Sequence, residues 1–288
     1  MLRLVPQRLP TRAFSTTHFG FETIPKAAKQ DRVRQVFDQV ANQYDLMNDL
    51  MSGGLHRLWK DYLLEVSNVA PMAKTIRRTP GARLDLLDVA GGTGDVAFRF
   101  VEAAGLVERA KSSGKDPISV TVCDINQEML RVGEQRARDR FGGSALLDSQ
   151  ALQFLQGNAQ ELQFEDNSFD LYTIAFGLRN VTDVDLALQE AVRVLRPGGR
   201  FLCLEFSQVP QPLLRALYDA YSFHVIPKMG ELVANDRASY QYLVESIRQF
   251  SNQDELIERM KQAGMQHTHY TNLTGGIVAL HEGYKSIE

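Results

Sequence analysis

Between Leu87 and Asp95 the sequence reads LDVAGGTGD, with carboxylates at Asp88 and Asp95 bracketing Gly91, Gly92 and Gly94. An apolar run that ends in such a turn is a strand handing over to a helix at the carboxyl edge, where open α/β sheets bind ligands. Gly92-x-Gly94-x-x-Ala97 also meets the loose dinucleotide fingerprint, so a nicotinamide cofactor has to be weighed. A diphosphate settles on a helix N-terminus because free N–H groups and the helix dipole attract anions. Asp95 stands in that first turn, and Asp88 adds a second carboxylate. The pattern therefore favours a ligand with a cationic amino-acid end, and S-adenosylmethionine, with its ammonium and sulfonium, meets that description. Asp124 ends the next apolar run (Val120 to Cys123) and would offer a carboxylate to two ribose hydroxyls. Gly157-Asn158-Ala159 follows a third run, where an amide and a neighbouring backbone N–H can read an adenine edge, although the same residues also make an ordinary turn.

These groups must be delivered by strands. Short apolar segments at Leu84–Ala90, Ile118–Cys123, Leu152–Leu155, Phe169–Ala175 and Phe201–Phe206 alternate with helical patterns at Gly94–Glu102, Gln127–Arg140 and Asp183–Leu195. Such alternation predicts a parallel sheet wound with helices. Pro197-Gly198-Gly199 is read as the stop after the last of those helices. Before the sheet, Val33, Val36, Phe37, Val40 and Ala41, then Leu58, Trp59, Tyr62 and Leu63, fall at helical spacing and predict an N-terminal helical cap over 15–83. The main domain is placed at 84–288. Within it, 207–264 reads as a helical insertion able to cover a site, ahead of final strands at His267–Leu273 and Ile277–Tyr284.

The 288 residues carry 32 Lys+Arg against 35 Asp+Glu, a formal charge of −3 with no long basic tract, which argues against a nucleic-acid partner. No apolar run approaches the ~20 residues of a membrane-spanning helix. Cys123 and Cys203 lie in separate apolar segments without a CxxC pair, and both are read as buried thiols. Residues 1–21 contain Arg3, Arg8, Arg12 and a Ser15-Thr16-Thr17 cluster but no acid. That is the composition of an organelle transit peptide, read as a mitochondrial leader covering 1–14.

Several ordered segments resemble the ubiquinone/menaquinone biosynthesis C-methyltransferases: Tyr44 to Asp49 (YDLMND), His56 to Lys60 (HRLWK), Ala90 to Asp95 (AGGTGD), Phe176 to Asp183 (FGLRNVTD), Arg196 to Arg200 (RPGGR), Tyr218 to Pro227 (YDAYSFHVIP), Tyr240 to Ile247 (YQYLVESI) and Gly275 to Tyr284. The resemblance runs from about Phe19 to Tyr284. The tracts Arg109–Pro117 and Gly142–Ser149 depart from it as polar or lengthened loops. It implies a Rossmann-like S-adenosylmethionine-dependent methyltransferase with a seven-stranded, mostly parallel sheet. It further implies cofactor contacts at Gly91, Thr93, Asp124, Asn158 and Ala159, and methylation of a ring carbon of a methoxylated polyprenyl benzoquinol on the way to coenzyme Q. The implied setting is a multi-subunit biosynthetic complex with peripheral contact to the matrix side of the mitochondrial inner membrane; a homodimer is left open. A demethylmenaquinone substrate and a non-catalytic cofactor-binding scaffold stand as alternatives.

An aromatic carbon attacks a sulfonium methyl group only when its ring is electron-rich, as when a quinol hydroxyl is losing its proton. Arg179, after the fourth strand, is expected to face the ring. As a permanently charged guanidinium it would lower the hydroxyl's own pKa and hold a water that takes the proton, not act as the base. The other reading of Arg179 is a structural ion pair with Asp183 or Asp185. Asn180 and Tyr44 are expected to orient that water or the second hydroxyl. His224 is chemically the better base but sits among Tyr221, Phe223 and Ile226, where packing is the commoner role. His267 and His269 share one strand face without a third ligand, His281-Glu282 lacks the HExxH spacing, and no metal is expected.

Overall fold

The computed structural model describes residues 16–40, 48–49, 51–110, 116–234 and 236–288. The leader 1–14 and Tyr44 lie outside them. A seven-stranded sheet is built from β3 (Leu84–Val89), β4 (Ile118–Asp124), β5 (Leu152–Gln156), β6 (Phe169–Ala175), β7 (Leu195–Phe206), β8 (Met265–Leu273) and β9 (Val278–Lys285). The spatial order is β5-β4-β3-β6-β7-β9-β8. β5 through β7 are mutually parallel, whereas β9 runs antiparallel to both β7 and β8. Chain order reverses between β3 and β6: β3 is followed by β4 on one side, and β6 returns on the other. The crevice above that switch point is where ligands bind in such sheets.

β3 is buried at every position because helices cover both faces. Its alternating residues serve two cores. Leu84 and Leu86 pack with Phe100, Val101 and Leu63 on one face, and Leu87 and Val89 pack with Tyr172, Leu188 and Met260 on the other. The first face is covered by α2 (Leu55–Ser67), α3 (Val69–Arg78) and α4 (Asp95–Ala103), the second by α8 (Val184–Val194) and α12 (Gln253–Gln262). Between β4 and β6 lie α6 (Gln127–Phe141) and the short α7 (Ala145–Asp148) inside the lengthened 142–149 loop, while α5 (Leu106–Ala110) precedes the polar tract before β4. Asn126 starts α6 by accepting the Met129 N–H, and Gly142 closes it in a left-handed conformation at φ 75°. Cys123 and Cys203 are both fully buried, and burial pushes the Cys123 thiol up to about 12.

Three local expectations change. Residues 195–199 do not merely stop a helix: α8 ends at Val194 and β7 begins at Leu195, so Pro197-Gly198-Gly199 lies within the strand, across a register shift against β6. The segment 207–264 divides. Helices α9 (Pro212–His224), α10 (Ile226–Ala234) and α11 (Arg237–Gln249) form the overlying cluster, while α12 belongs to the helical layer of the sheet. The N-terminal cap is not wholly helical, because a hairpin of β1 (Thr16–Phe19) and β2 (Glu22–Pro25) precedes α1 (Lys26–Val40). That hairpin is fastened to α11 by a stacked Phe19–Tyr242 pair at 4.1 Å and by the Phe21 N–H donating to Glu245 at 3.1 Å.

Candidate active site

A cleft of about 1070 Å³, counting space open to solvent, lies over the carboxyl ends of β3, β4 and β6. Its floor is the turn after β3. Ala90 takes φ 50°, and Gly92 and Gly94 take φ 54° and 84°, a run of left-handed conformations that swings the chain into α4. Gly91 is needed for space: a Cβ there would stand 2.8 Å from both Asp88 Oδ2 and Val122 Cγ1. The end of β6 is strained in the same way, with Phe176 at φ 58°. Gly177 then fits against the first turn so closely that a Cβ would come within 2.4 Å of Ala90 Cβ. Non-glycine residues in this region cost about 1–3 kcal/mol each and tend to persist at functional sites. Gly177→Ala is expected to destabilise the protein by about 1–3 kcal/mol, read as a lower denaturant midpoint, and to weaken ligand binding with it.

Asp88 is 1% exposed. Its Oδ1 accepts the Thr173 hydroxyl at 2.7 Å, whereas Oδ2 has no hydrogen-bond partner. Burial pushes this carboxyl up to about 7, against the opposing effects of Thr173 and Lys60. Asp124 accepts the Gly92 N–H on Oδ2 at 2.9 Å and the Asn126 N–H on Oδ1 at 2.8 Å, yet burial still raises it to about 6. Each of its oxygens keeps a second lone pair for the cleft. The Thr93 hydroxyl accepts from Arg136 at 3.1 Å. Asn158 Oδ1 accepts from both the backbone and the side-chain nitrogen of Gln160, and Gln160 in turn accepts the Asp183 N–H. Gly91, Thr93, Asp124, Asn158 and Ala159 all line this one cleft, with Ile125 and Met129 as its apolar wall.

Asp95 behaves otherwise than the sequence suggested. Lys60 Nζ donates to its Oδ2 at 2.7 Å and Arg99 to its Oδ1. Burial works against its charge, but the two cations outweigh that and hold the carboxyl well below the ordinary range. Its charge is therefore compensated, and the case for a cationic ligand passes to Asp88. Lys60 comes from α2, where His56 Nδ1 lies 3.2 Å from its ammonium and His56 Nε2 lies 2.8 Å from Asp49 Oδ1. Burial and Lys60 lower the His56 pKa, so the ring is neutral, with Nε2–H donating to Asp49 and Nδ1 accepting from Lys60.

Phe176, in the cleft lining, leads back into an aromatic cluster. Trp59, Phe176 and Phe206 meet at centroid distances of 4.9–6.1 Å, and Trp59 is anchored by Nε1–H donating to Thr274 at 2.8 Å. Arg179 and Asn180 occupy the 3₁₀ turn after β6 but face differently. Asn180 lines the cleft, and its Oδ1 accepts the Tyr242 hydroxyl at 3.0 Å. Arg179, expected to face the ring, is instead turned out of the cleft lining by its ion pair with Glu205: it is 8% exposed and lines a neighbouring polar cavity with Lys26, Lys29 and Tyr242. Its Nη1 donates to Glu205 Oε1 at 2.8 Å and to the Phe176 carbonyl, while its Nε has no partner. The ion pair is thus with Glu205, not with Asp183 or Asp185, which bind Lys26 and Arg259. His224 is exposed at the end of α9, away from the cleft lining. α1 closes the other wall through Gln30, Val33, Arg34 and Phe37, held by Lys29 donating to the Val181 carbonyl at 3.0 Å. Lys60, Gln160 and Glu205 were not singled out from the sequence as functional. The contacts that tie them to Asp95, Asp183 and Arg179 span 23 to 35 positions, beyond the reach of any local period.

Residues 25–285 match the ubiE/COQ5 methyltransferase family. The mitochondrial 2-methoxy-6-polyprenyl-1,4-benzoquinol methylase of Bos taurus is 51% identical, covering 93% of this chain and 83% of its own length. The ubiquinone/menaquinone biosynthesis C-methyltransferase UbiE of Rhodopseudomonas palustris (strain HaA2) is also 51% identical, covering 96% and 99%. Among solved structures, the DszA carbon methyltransferase superposes with a TM-score of 0.58 at 14% identity, over 92% of this chain and 68% of that one, a likeness of fold.

Proposed function

The chain belongs to the ubiE/COQ5 methyltransferase family, and from that membership and its cleft we propose that it transfers a methyl group from S-adenosylmethionine to a ring carbon of 2-methoxy-6-polyprenyl-1,4-benzoquinol in ubiquinone biosynthesis. It is an S-adenosylmethionine-dependent C-methyltransferase. The observation that carries the reading is the buried, unpartnered Oδ2 of Asp88 at the floor of the cleft. A buried carboxylate oxygen without a donor is costly unless a ligand supplies one, and an ammonium does so. The close seat of Gly91 on Asp88 and Val122, which a Cβ would break, holds the turn around that oxygen.

When bound, S-adenosylmethionine supplies a methyl carbon made electrophilic by a positively charged sulfur. Asp88 pairs with the ammonium, Asp124 accepts the ribose hydroxyls, and Asn158 with Ala159 edges the adenine while Gly91 and Thr93 shape the turn beneath. Asn180, held by Tyr242, orients a quinol hydroxyl or its water. Arg179 places a fixed positive charge beside the Phe206 ring, 5.4 Å from its centroid. Its unpartnered Nε is the donor for a water that receives the hydroxyl proton, since a guanidinium cannot. Glu205 keeps that charge from binding a phenolate so tightly that the ring loses its nucleophilicity. A bound quinol packed against Phe176 would displace water from this end of the cleft, which strengthens these electrostatic effects. Tyr44, outside the described residues, is assigned to the same water or the second hydroxyl from the sequence reading alone.

Mitochondrial localisation follows the relatives. We place the protein peripherally on the matrix side of the inner membrane, among subunits of a coenzyme Q biosynthetic complex. Among the described residues no helix is long and apolar enough to cross a membrane, and Leu213, Leu217 and Tyr221 recur every fourth residue along the exposed side of α9, which supports surface contact. The direct test is calorimetry of the full chain with S-adenosylhomocysteine, NAD and NADP, followed by methyl incorporation into a short-chain methoxylated quinol. Binding of the homocysteine nucleoside alone, with turnover, is the expected result. Uptake of a nicotinamide dinucleotide without it would overturn the reading, and binding without turnover would favour a scaffold.

A further inference from the structure

The cleft holds an anionic recognition group with a cation set close by. We infer that Lys60 takes the carboxylate of the methionyl end of the cofactor, so that Asp88 and Lys60 together select an intact α-amino acid and not merely an adenosyl thioether. This rests on the proposed cofactor.

Lys60 occupies a position where a helix of this kind ordinarily buries an apolar side chain. Its neighbours Trp59 and Leu63 are core residues, and it is itself only 4% exposed while lining the cleft. An ammonium has three donors. One goes to Asp95 and one to His56 Nδ1, and the third has no hydrogen-bond acceptor among the described residues, with the Phe176 ring, which lines the cleft beside it, 6.0 Å away. Ion pairing with Asp95 does not account for Lys60 by itself, because Arg99 already binds the other oxygen of that carboxylate and its backbone carbonyl as well. Lys60 and Arg99 thus both bind the Asp95 carboxylate, Arg99 shares its charge with Asp61 as well, and it is the Lys60 ammonium that stands at the cleft lining. Across the same cleft stands the unpartnered oxygen of Asp88. An α-amino acid presents its ammonium and carboxylate on one carbon, so a bound methionyl group satisfies both ends of this arrangement at once. The neutral His56, fixed between Asp49 and Lys60, keeps the lysine head aimed without adding a charge that would compete for the carboxylate.

Two nucleosides separate this role from a structural one: S-adenosylhomocysteine, and its decarboxylated counterpart 5′-deoxy-5′-(3-aminopropylthio)adenosine, which keeps the ammonium and lacks the carboxylate. Calorimetry on the full wild-type chain is expected to show the first binding roughly tenfold or more tighter than the second, the size of one charge-assisted hydrogen bond. In Lys60→Met the ratio is expected to fall to about one, by loss of affinity for S-adenosylhomocysteine alone, and Lys60→Arg should restore part of it. Equal affinities in the wild-type chain would overturn the inference without recourse to any variant, as would equal weakening of both nucleosides by Lys60→Met. Failure of the wild-type chain to bind either nucleoside would instead remove the proposed cofactor itself.

Discussion

Replacing Arg179 with methionine is expected to lower kcat by about two to three orders of magnitude, the usual effect of removing one electrostatic contact to a developing charge. The substitution has a second consequence that could be mistaken for the first. Glu205 is fully buried and would lose its counter-charge, at a cost to stability of about 3–5 kcal/mol. The pair Arg179→Met with Glu205→Gln separates the two. The amide oxygen still accepts the Phe206 N–H that Glu205 Oε1 takes at 2.9 Å, and no unpaired charge remains. Chemical denaturation should therefore show the double variant recovering most of the stability, while single-turnover assays show kcat still depressed. Recovery of kcat along with stability would make Arg179 a purely structural member of an ion pair. Affinity for S-adenosylhomocysteine should be little changed in either variant, since Arg179 does not line the cofactor cleft.

The other large effect belongs to Asp88. Asp88→Asn keeps the side-chain oxygen that accepts from Thr173 but removes the charge meant for the ligand's ammonium, and affinity for S-adenosylhomocysteine is expected to fall by roughly 30-fold or more. In the wild-type chain the free carboxyl, raised to about 7, must ionise for that pairing. Affinity should then climb about tenfold from pH 6 to pH 8, and binding near pH 6.5 should release protons, seen as a dependence of the calorimetric heat on buffer ionisation enthalpy. The variant should show neither effect. Stability of the ligand-free protein moves the opposite way. A carboxyl whose folded pKa lies above its unfolded value stabilises fully below about pH 4 and loses that contribution as pH rises through about 7. Asp88→Asn escapes this loss, so its melting temperature relative to wild type should improve across that window. A ligand affinity flat with pH, or unchanged by the substitution, would remove Asp88 from ligand binding.

The strands and the turn that hold the ligand were legible because each rests on local chemistry. Runs such as Leu84–Val89 are mostly apolar, Gly91 has no room for a side chain, and Asp88 and Asp124 stand at strand ends. What escaped depends on distant partners. The Thr16–Phe19 and Glu22–Pro25 hairpin is four residues a side and mostly exposed, and its Phe19 matters because Tyr242 lies beneath it. Glu205 sits near the end of an apolar strand, where nothing nearby in sequence announces that Arg179 will meet it. The apolar alternation gave the correct edges of β6, but Pro197 and Gly198 concealed that β7 starts at Leu195. One signal was present and unread: Asn252 and Glu255 form a capping box that opens α12, and it would have divided the 207–264 segment at the right place.

The tight seat of Gly177 against Ala90 bears on how two ligands would sense one another. The turn beneath the nucleoside and the turn leading to Arg179 and Asn180 touch through a contact with no slack, and each is already bent into a conformation with few neighbouring alternatives. Neither can shift without moving the other, as with meshed gears. Occupancy of the nucleoside end would then bias the quinol end, and thermodynamic reciprocity requires the quinol to tighten the grip on the nucleoside by the same factor.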